Sequence, residues 1–163
     1  MRKGIVILIS IVFCLGCKKD KDKPSPNPII ETPSSWLSAK IGGNFLFNAD
    51  TNRTTIDTQL MFTEIFAYDI EDRILAIGFE GRDTGIYILG ASGSQNYVRY
   101  LDENEQIFSS LNNSGILHIT KYDTITKRMS GNFTDLLIRL RSPYDSLEVK
   151  DGKFENLKIT AYK

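Results

Sequence analysis

Few residues in this chain can do covalent or acid–base chemistry. There are two cysteines, Cys14 and Cys17, and one histidine, His118. Zinc sites draw on several His or Cys ligands, which the part after Cys17 does not supply. His118 sits between Leu117 and Ile119, so strand alternation turns it away from their side, to solvent or to the other face of a sheet. The stretch Gly90-Ala91-Ser92-Gly93-Ser94 misses the G-x-S-x-G spacing that would present a serine to such a histidine. No Gly-rich phosphate loop occurs either. Carboxylates remain. A glycosidase needs two of them, about 5–9 Å apart, and Glu64, Asp69, Glu80 and Asp83 lie near expected strand ends. Asp102-Glu103-Asn104-Glu105 offers the oxygen ligands calcium takes, without the spacing of an EF-hand. The simpler reading of each group is a solvated turn. No catalytic, cofactor-binding or metal-ligating residue is therefore assigned.

The elements around these residues begin with a leader. Met1-Arg2-Lys3 is basic, Gly4 to Leu15 is almost unbroken apolar sequence, and Gly16 precedes Cys17. That order reads as an export signal. It is short of the ~18–20 apolar residues of a spanning helix. With Cys17 directly after Leu15-Gly16, it resembles a bacterial lipoprotein signal. The resemblance implies that Cys17 receives a diacylglyceryl thioether, becomes the new N-terminus and is acylated. It places the protein in the bacterial cell envelope, lipid-anchored and assigned to the outer membrane. Stable anchoring takes more than one acyl chain, which such a Cys17 would have.

Three segments follow: a lipoprotein signal peptide over 1–16, a lipid-anchored Pro/Lys-rich tether over 17–33 and a β-rich domain over 34–163. The tether opens Lys18-Lys19-Asp20-Lys21-Asp22-Lys23 and holds Pro24, Pro26, Pro28 and Pro33. It has too little apolar surface to fold alone. Its charge run is a solvated spacer, or else a contact with lipid headgroups or a sorting signal.

The whole chain carries 20 basic and 20 acidic residues, and removing Arg2 and Lys3 with the signal leaves 18 against 20. No nucleic acid is expected as a partner, since such a surface is strongly basic. With Cys14 removed and Cys17 modified, no thiol remains to form a disulfide. The domain must be held by its packed core.

From Trp36 onward the apolar period is mostly two. Leu37, Ala39 and Ile41 alternate, Gly42-Gly43 offers a hairpin turn, and Phe45 and Phe47 alternate on the return. Thr51 to Gln59 reads as a polar loop, with a short helical turn at Asp57 and strand character from Ile65 to Ile70. Leu75, Ile77 and Phe79 share a face after the turn Glu71-Asp72. Ile86 to Leu89 is a short strand between the turns 81–85 and 90–95. Tyr97 to Leu101 pairs with Gln106 to Ser109.

Gly115 to Tyr122 and Arg128 to Arg141 form a second hairpin, with Leu117 and Ile119 facing Leu136, Ile138 and Leu140 in the core. Asp123 reads as the opener of its turn. Asp151-Gly152 reads as a final turn before Phe154 to Tyr162, with a bulge between Phe154 and Leu157 if both point inward. Short strands bounded by Gly, Asn and Asp predict an all-β fold, a single antiparallel β-sandwich or barrel-like domain.

Gly115-Ile116-Leu117-His118-Ile119-Thr120-Lys121-Tyr122-Asp123, Ser130-Gly131-Asn132-Phe133 and Asp151-Gly152-Lys153-Phe154 resemble a pattern in small Bacteroidetes β-rich lipoproteins. Those belong to domain-of-unknown-function families. The resemblance implies a lipid anchor, a tether and a β domain, and carries over no binding or catalytic residue.

The functional expectation is a non-enzymatic binding or structural module. Its partners are the membrane, through acylated Cys17, and an envelope protein, glycan or small ligand. Trp36 and the tyrosines Tyr68, Tyr87, Tyr97, Tyr100, Tyr122, Tyr144 and Tyr162 are the hint of binding. One alternative is a lipocalin-like carrier of a small apolar ligand, although Ser34-Ser35-Trp36 lacks the G-x-W of lipocalins. Another is a carboxylate-based hydrolase.

Overall fold

The structure is a computed structural model that describes residues 34–162. The signal peptide, Cys17 and the tether over 17–33 lie outside the described residues. The domain has eleven strands and, among the described residues, no helix. They are β1 Trp36–Ile41, β2 Phe45–Asn48, β3 Thr51–Asp57, β4 Phe62–Tyr68, β5 Ile74–Glu80 and β6 Gly85–Leu89. The rest are β7 Tyr97–Leu101, β8 Ile107–Ser110, β9 Gly115–Asp123, β10 Arg128–Arg139 and β11 Ser146–Tyr162.

All belong to one sheet, in the order β2-β1-β11-β3-β4-β5-β7-β8-β10-β9-β6, and β11 also pairs with β10. That extra pairing closes a circuit of seven strands: β11, β3, β4, β5, β7, β8, β10 and back to β11. The same connectivity reads as two layers, β2-β1-β11-β10-β9-β6 and β3-β4-β5-β7-β8, joined at both edges. Aromatic contacts cross between the layers. Phe47 of β2 meets Tyr100 of β7 edge-on at 6.4 Å, and Phe79 of β5 meets Tyr87 of β6 at 4.7 Å. Sandwich and barrel are here one object, layered in its packing and closed in its hydrogen bonds.

The pairings are antiparallel with one exception: β3 runs parallel to β11. The cause is local. β2 is antiparallel to β1, and only Ala49-Asp50 separates it from β3, so the chain keeps its direction. Ala49 N–H still bonds Leu37 C=O on β1, while Asp50 N–H already bonds Tyr68 C=O on β4. The chain thus passes the end of β1 and reaches β11 travelling parallel to it.

Interior positions follow alternation. Leu37, Ala39 and Ile41, then Leu75, Ile77 and Phe79, then Leu117 and Ile119 are all buried. Five expectations need correction. Thr51 to Asp57 is a strand rather than a loop, and its Thr54, Thr55 and Ile56 are buried. Polar threonine is a good strand former, since its branched Cβ suits the pleat.

No helical turn forms at Asp57. Its carboxylate instead accepts the N–H groups of Gln59 and Leu60, both at 2.9 Å, which is an Asx-type turn. Strand β4 also stops at Tyr68, leaving Ile70 exposed in the following turn.

The inward face of β10 is the opposite of the expected one. Met129, Phe133, Asp135 and Leu137 are buried, whereas Leu136 and Leu140 are exposed and Ile138 is half-buried. Asp135 on the inner face disguises the register.

Asp151-Gly152 is no turn either, because β11 runs through it. Asp151 takes a φ of 51° and the register shifts there against both β1 and β10, so it is a bulge. Gly152 is required at this crossing, since a Cβ would lie 2.6 Å from the Phe133 ring and carbonyl. The expected bulge between Phe154 and Leu157 is present: both side chains are buried, and Asn156 between them has a φ of 53°.

The parity of β10 can be tested by truncating neighbours. Leu137→Ala should cost about 2–5 kcal/mol, as for a filled core site. Leu136→Ala should stay within roughly 1 kcal/mol. Urea midpoints of the two variants check this, and equal losses would contradict the register.

Candidate functional site

The four carboxylates singled out in the sequence do not converge in one cleft. Glu64 of β4 and Glu80 of β5 share the outer face as diagonal neighbours, since Glu64 pairs with Gly78 and Phe62 with Glu80. Glu64 is taken by the Tyr97 hydroxyl, which donates to it at 2.6 Å. Tyr97 lies flat over Gly78, where a Cβ would come within 2.6 Å of the ring. Burial first, and then the Glu64 carboxylate, push the Tyr97 phenol upward. The Arg99 guanidinium covers the same ring, 4.3 Å from its centroid.

Asp69 sits elsewhere, in the β4–β5 turn. It accepts the N–H groups of Glu71 and Arg73 and the Arg73 Nε–H at 2.6 Å. Arg73 in turn stacks on Phe45, 4.1 Å from the ring centroid. The nearby Tyr100 phenol is pushed up to about 12, chiefly by burial. Asp83 lies in the β5–β6 turn, where its carbonyl accepts the Tyr87 hydroxyl.

His118 projects from the outer face of β9 and is exposed. The Asp123 carboxylate accepts the N–H groups of Thr126 and Ile125, each at 2.9 Å, and those bonds, Thr126 first, hold its pKa low. Asp102 likewise accepts from Asn104 and Gln106 N–H. Among the described residues no group of His, Cys, Asp or Glu gathers as a metal site would require.

The polar cluster that sequence reading missed surrounds Asp135. Along one edge of β10, residues up to Thr134 pair with β9 and residues from Leu137 pair with β8. Asp135 occupies the fork between them. Its carboxylate accepts the hydroxyls of Ser110, at the end of β8, and Ser114, just before β9, the latter at 2.6 Å. It also accepts its neighbour Leu136 N–H at 2.8 Å. Gly115 allows the approach, because a Cβ there would stand 2.5 Å from the carboxylate carbon. A buried carboxylate with two serines resembles catalytic hardware on paper. Its two oxygens are instead engaged by Ser110 and Ser114, which tie β10 to β8 and β9, and by Leu136 N–H.

Among the described residues, a hollow lies at each end of the β7–β8 hairpin. The smaller, ≈ 340 Å³, is polar and bordered by Asn96, Tyr97, Arg99, Ser109 and Ser110. Asn96 is already committed, accepting Glu80 N–H and donating to Ile88 C=O. The larger, ≈ 740 Å³, lies between the β7–β8 loop and the connection that follows β10. Leu101, Ile107 and Leu140 give it an apolar lining, and Arg139 and Arg141 border it. Its backbone frame is fixed by Leu140 N–H on Ile107 C=O and Arg139 N–H on Asp145 C=O.

The description "domain of unknown function (DUF6252)" belongs to a family model that matches residues 34–158. The chain belongs to the DUF6252 family. No curated protein and no solved structure matches the chain. The matched span takes in the DUF6252 domain from β1 through most of β11, including the Asp135 fork and both hollows.

Burial is the largest influence on the Asp135 carboxyl of the DUF6252 domain and raises its pKa, while the bonds from Ser110, Ser114 and Leu136 oppose it. A raised folded pKa means that the folded state holds the proton more tightly than the unfolded one. The associated stability is complete below the ordinary carboxylate pKa and is lost as pH rises through the folded value. Asp135→Asn cannot ionise, so its stability relative to wild type should improve as pH rises through that window. Urea unfolding of both proteins from acid to neutral pH measures the difference. A variant that loses stability relative to wild type as pH rises would contradict it.

Proposed function

We propose that the chain is a lipid-anchored binding module of the bacterial cell envelope, held by acylated Cys17 and acting by recognition rather than catalysis. The observation that carries the recognition part is the ≈ 740 Å³ hollow beside Arg139 and Arg141. Its size is that of a small-molecule site, typically about 300–1,000 Å³. It is also formed at strand ends on a rigid frame, where binding sites tend to be built. By contrast, the Glu64, Asp69 and Asp135 carboxylates are each engaged in bonds between strands or within a turn. Glu64 and Glu80 share an open sheet face, without the walls that would exclude water from a reaction.

The lipocalin-like alternative puts its ligand inside the barrel. The interior here is lined by side chains such as Phe47, Phe79, Phe133 and Phe154, all essentially inaccessible to solvent. The rim hollow is the better-supported place for a ligand. The anchoring part rests on the order of basic start, apolar run, Gly16 and Cys17, and on the likeness to small Bacteroidetes lipoproteins. It assigns the protein to the outer membrane.

Both parts have direct tests. Cys17→Ala should abolish acyl labelling and release the protein from membranes, and persistent membrane partitioning would overturn the anchor. Native mass spectrometry of the full chain, purified in detergent from its own host, should show an added mass that disappears on denaturation. A bare mass would shift the reading to a face that recognises another envelope component.

A further inference from the structure

Resting on that recognition reading, we infer that the larger hollow takes a ligand with one carboxylate on an aliphatic body. Arg139 and Arg141 border the hollow, and neither guanidinium makes an ion pair or hydrogen bond with another described residue. Several cations elsewhere in the domain are engaged, Arg73 with Asp69, Arg99 on Tyr97, Arg128 on Asn156 C=O, and Lys40 with Asp151, while Arg53 and Arg82 are unengaged but border neither hollow. Two unengaged guanidiniums bordering one concave surface supply the planar N–H donors that a carboxylate accepts.

The side-chain amides of Asn104 and Gln106 also border the hollow and are likewise free of bonds to described residues. They add donors without charge. Glu105 is the one acidic side chain in the lining, so two positive charges face one negative. That net single charge favours a monoanion over a phosphomonoester or a polyanion. Leu101, Ile107 and Leu140 supply the apolar wall, and no aromatic ring in it offers a stacking platform for a sugar. Ile107 and Leu140 are 43% and 55% exposed, apolar area that an aliphatic ligand would cover. The ligand is therefore amphipathic, its charged end on the arginines and its chain on the three aliphatic side chains.

The test uses hexanoate as the probe, with acetate, hexanol and hexylammonium as controls, titrated into the full chain carrying Cys17→Ser. Methyl NMR signals of Ile107 and Leu140 report occupancy. Hexanoate should saturate these shifts, and acetate should bind about tenfold more weakly for lack of the apolar contact. Arg139→Gln and Arg141→Gln should each weaken hexanoate about tenfold by removing a charge-assisted bond. Unchanged dispersion of the core methyl signals verifies that these surface variants fold. Hexanol or hexylammonium binding as well as hexanoate would overturn the proposal, as would arginine variants that bind normally. If hexanoate fails while native mass spectrometry shows a released ligand, the ligand class is wrong and the recognition reading stands. If both fail, the hollow is not a ligand site and recognition falls to another face of the domain.

Discussion

The structure depends on the pairing of β10 with β11. These are the two longest strands, and they hydrogen-bond to each other from Arg128↔Lys158 to Ile138↔Ser146. A strand offers only two edges, and an unpaired buried edge is costly. Because one edge of each is used on the other, all remaining partners must share the second edge. β10 divides its second edge between β9 and β8, and β11 divides its own between β1 and β3. Both long strands are therefore forked, and the forks turn two layers into one closed sheet.

Each fork interrupts a ladder, and each interruption is met by a different device. At β11 the chain itself makes the transfer, with Ala49 bonded to β1 and Asp50 to β4. At β10 no backbone reaches the gap, and Asp135 fills it with a carboxylate that joins Ser110, Ser114 and Leu136. A charged group in the interior is tolerated because all its bonds are satisfied. Its three donors commit the Asp135 carboxylate to holding the fork together. Asp69 is used in the same manner, in a turn rather than a fork.

Sequence pattern disclosed those elements whose interior face is uniformly apolar. Leu37-Ala39-Ile41 and Leu75-Ile77-Phe79 could be placed because alternation alone determines their burial. The pattern misled wherever a polar residue stood on the inner face. Thr54 and Thr55 made β3 look like a loop, and Asp135 made Leu136, Ile138 and Leu140 look like the core set of β10. Asp151-Gly152 misled for a different reason, since a residue at positive φ serves a turn and a bulge equally well. The candidate site was not legible. Arg139 and Arg141 are ordinary residues at a strand end. Their meaning comes from Leu101 and Ile107, brought beside them by the β8–β10 pairing.

That pairing also fixes where the hollow lies along the sheet. β1 runs from Trp36 to Ile41, and Gly42 N–H then bonds Glu148 C=O near the start of β11. The hollow borders Arg139 to Ser142, just before β11 begins, so it belongs to the end toward which β1 travels. Trp36 marks the opposite end of that strand, about 17 Å back along it for a six-residue strand. The hollow is thus built on the edge that β8 and β10 share, at the end of the sheet where β11 begins.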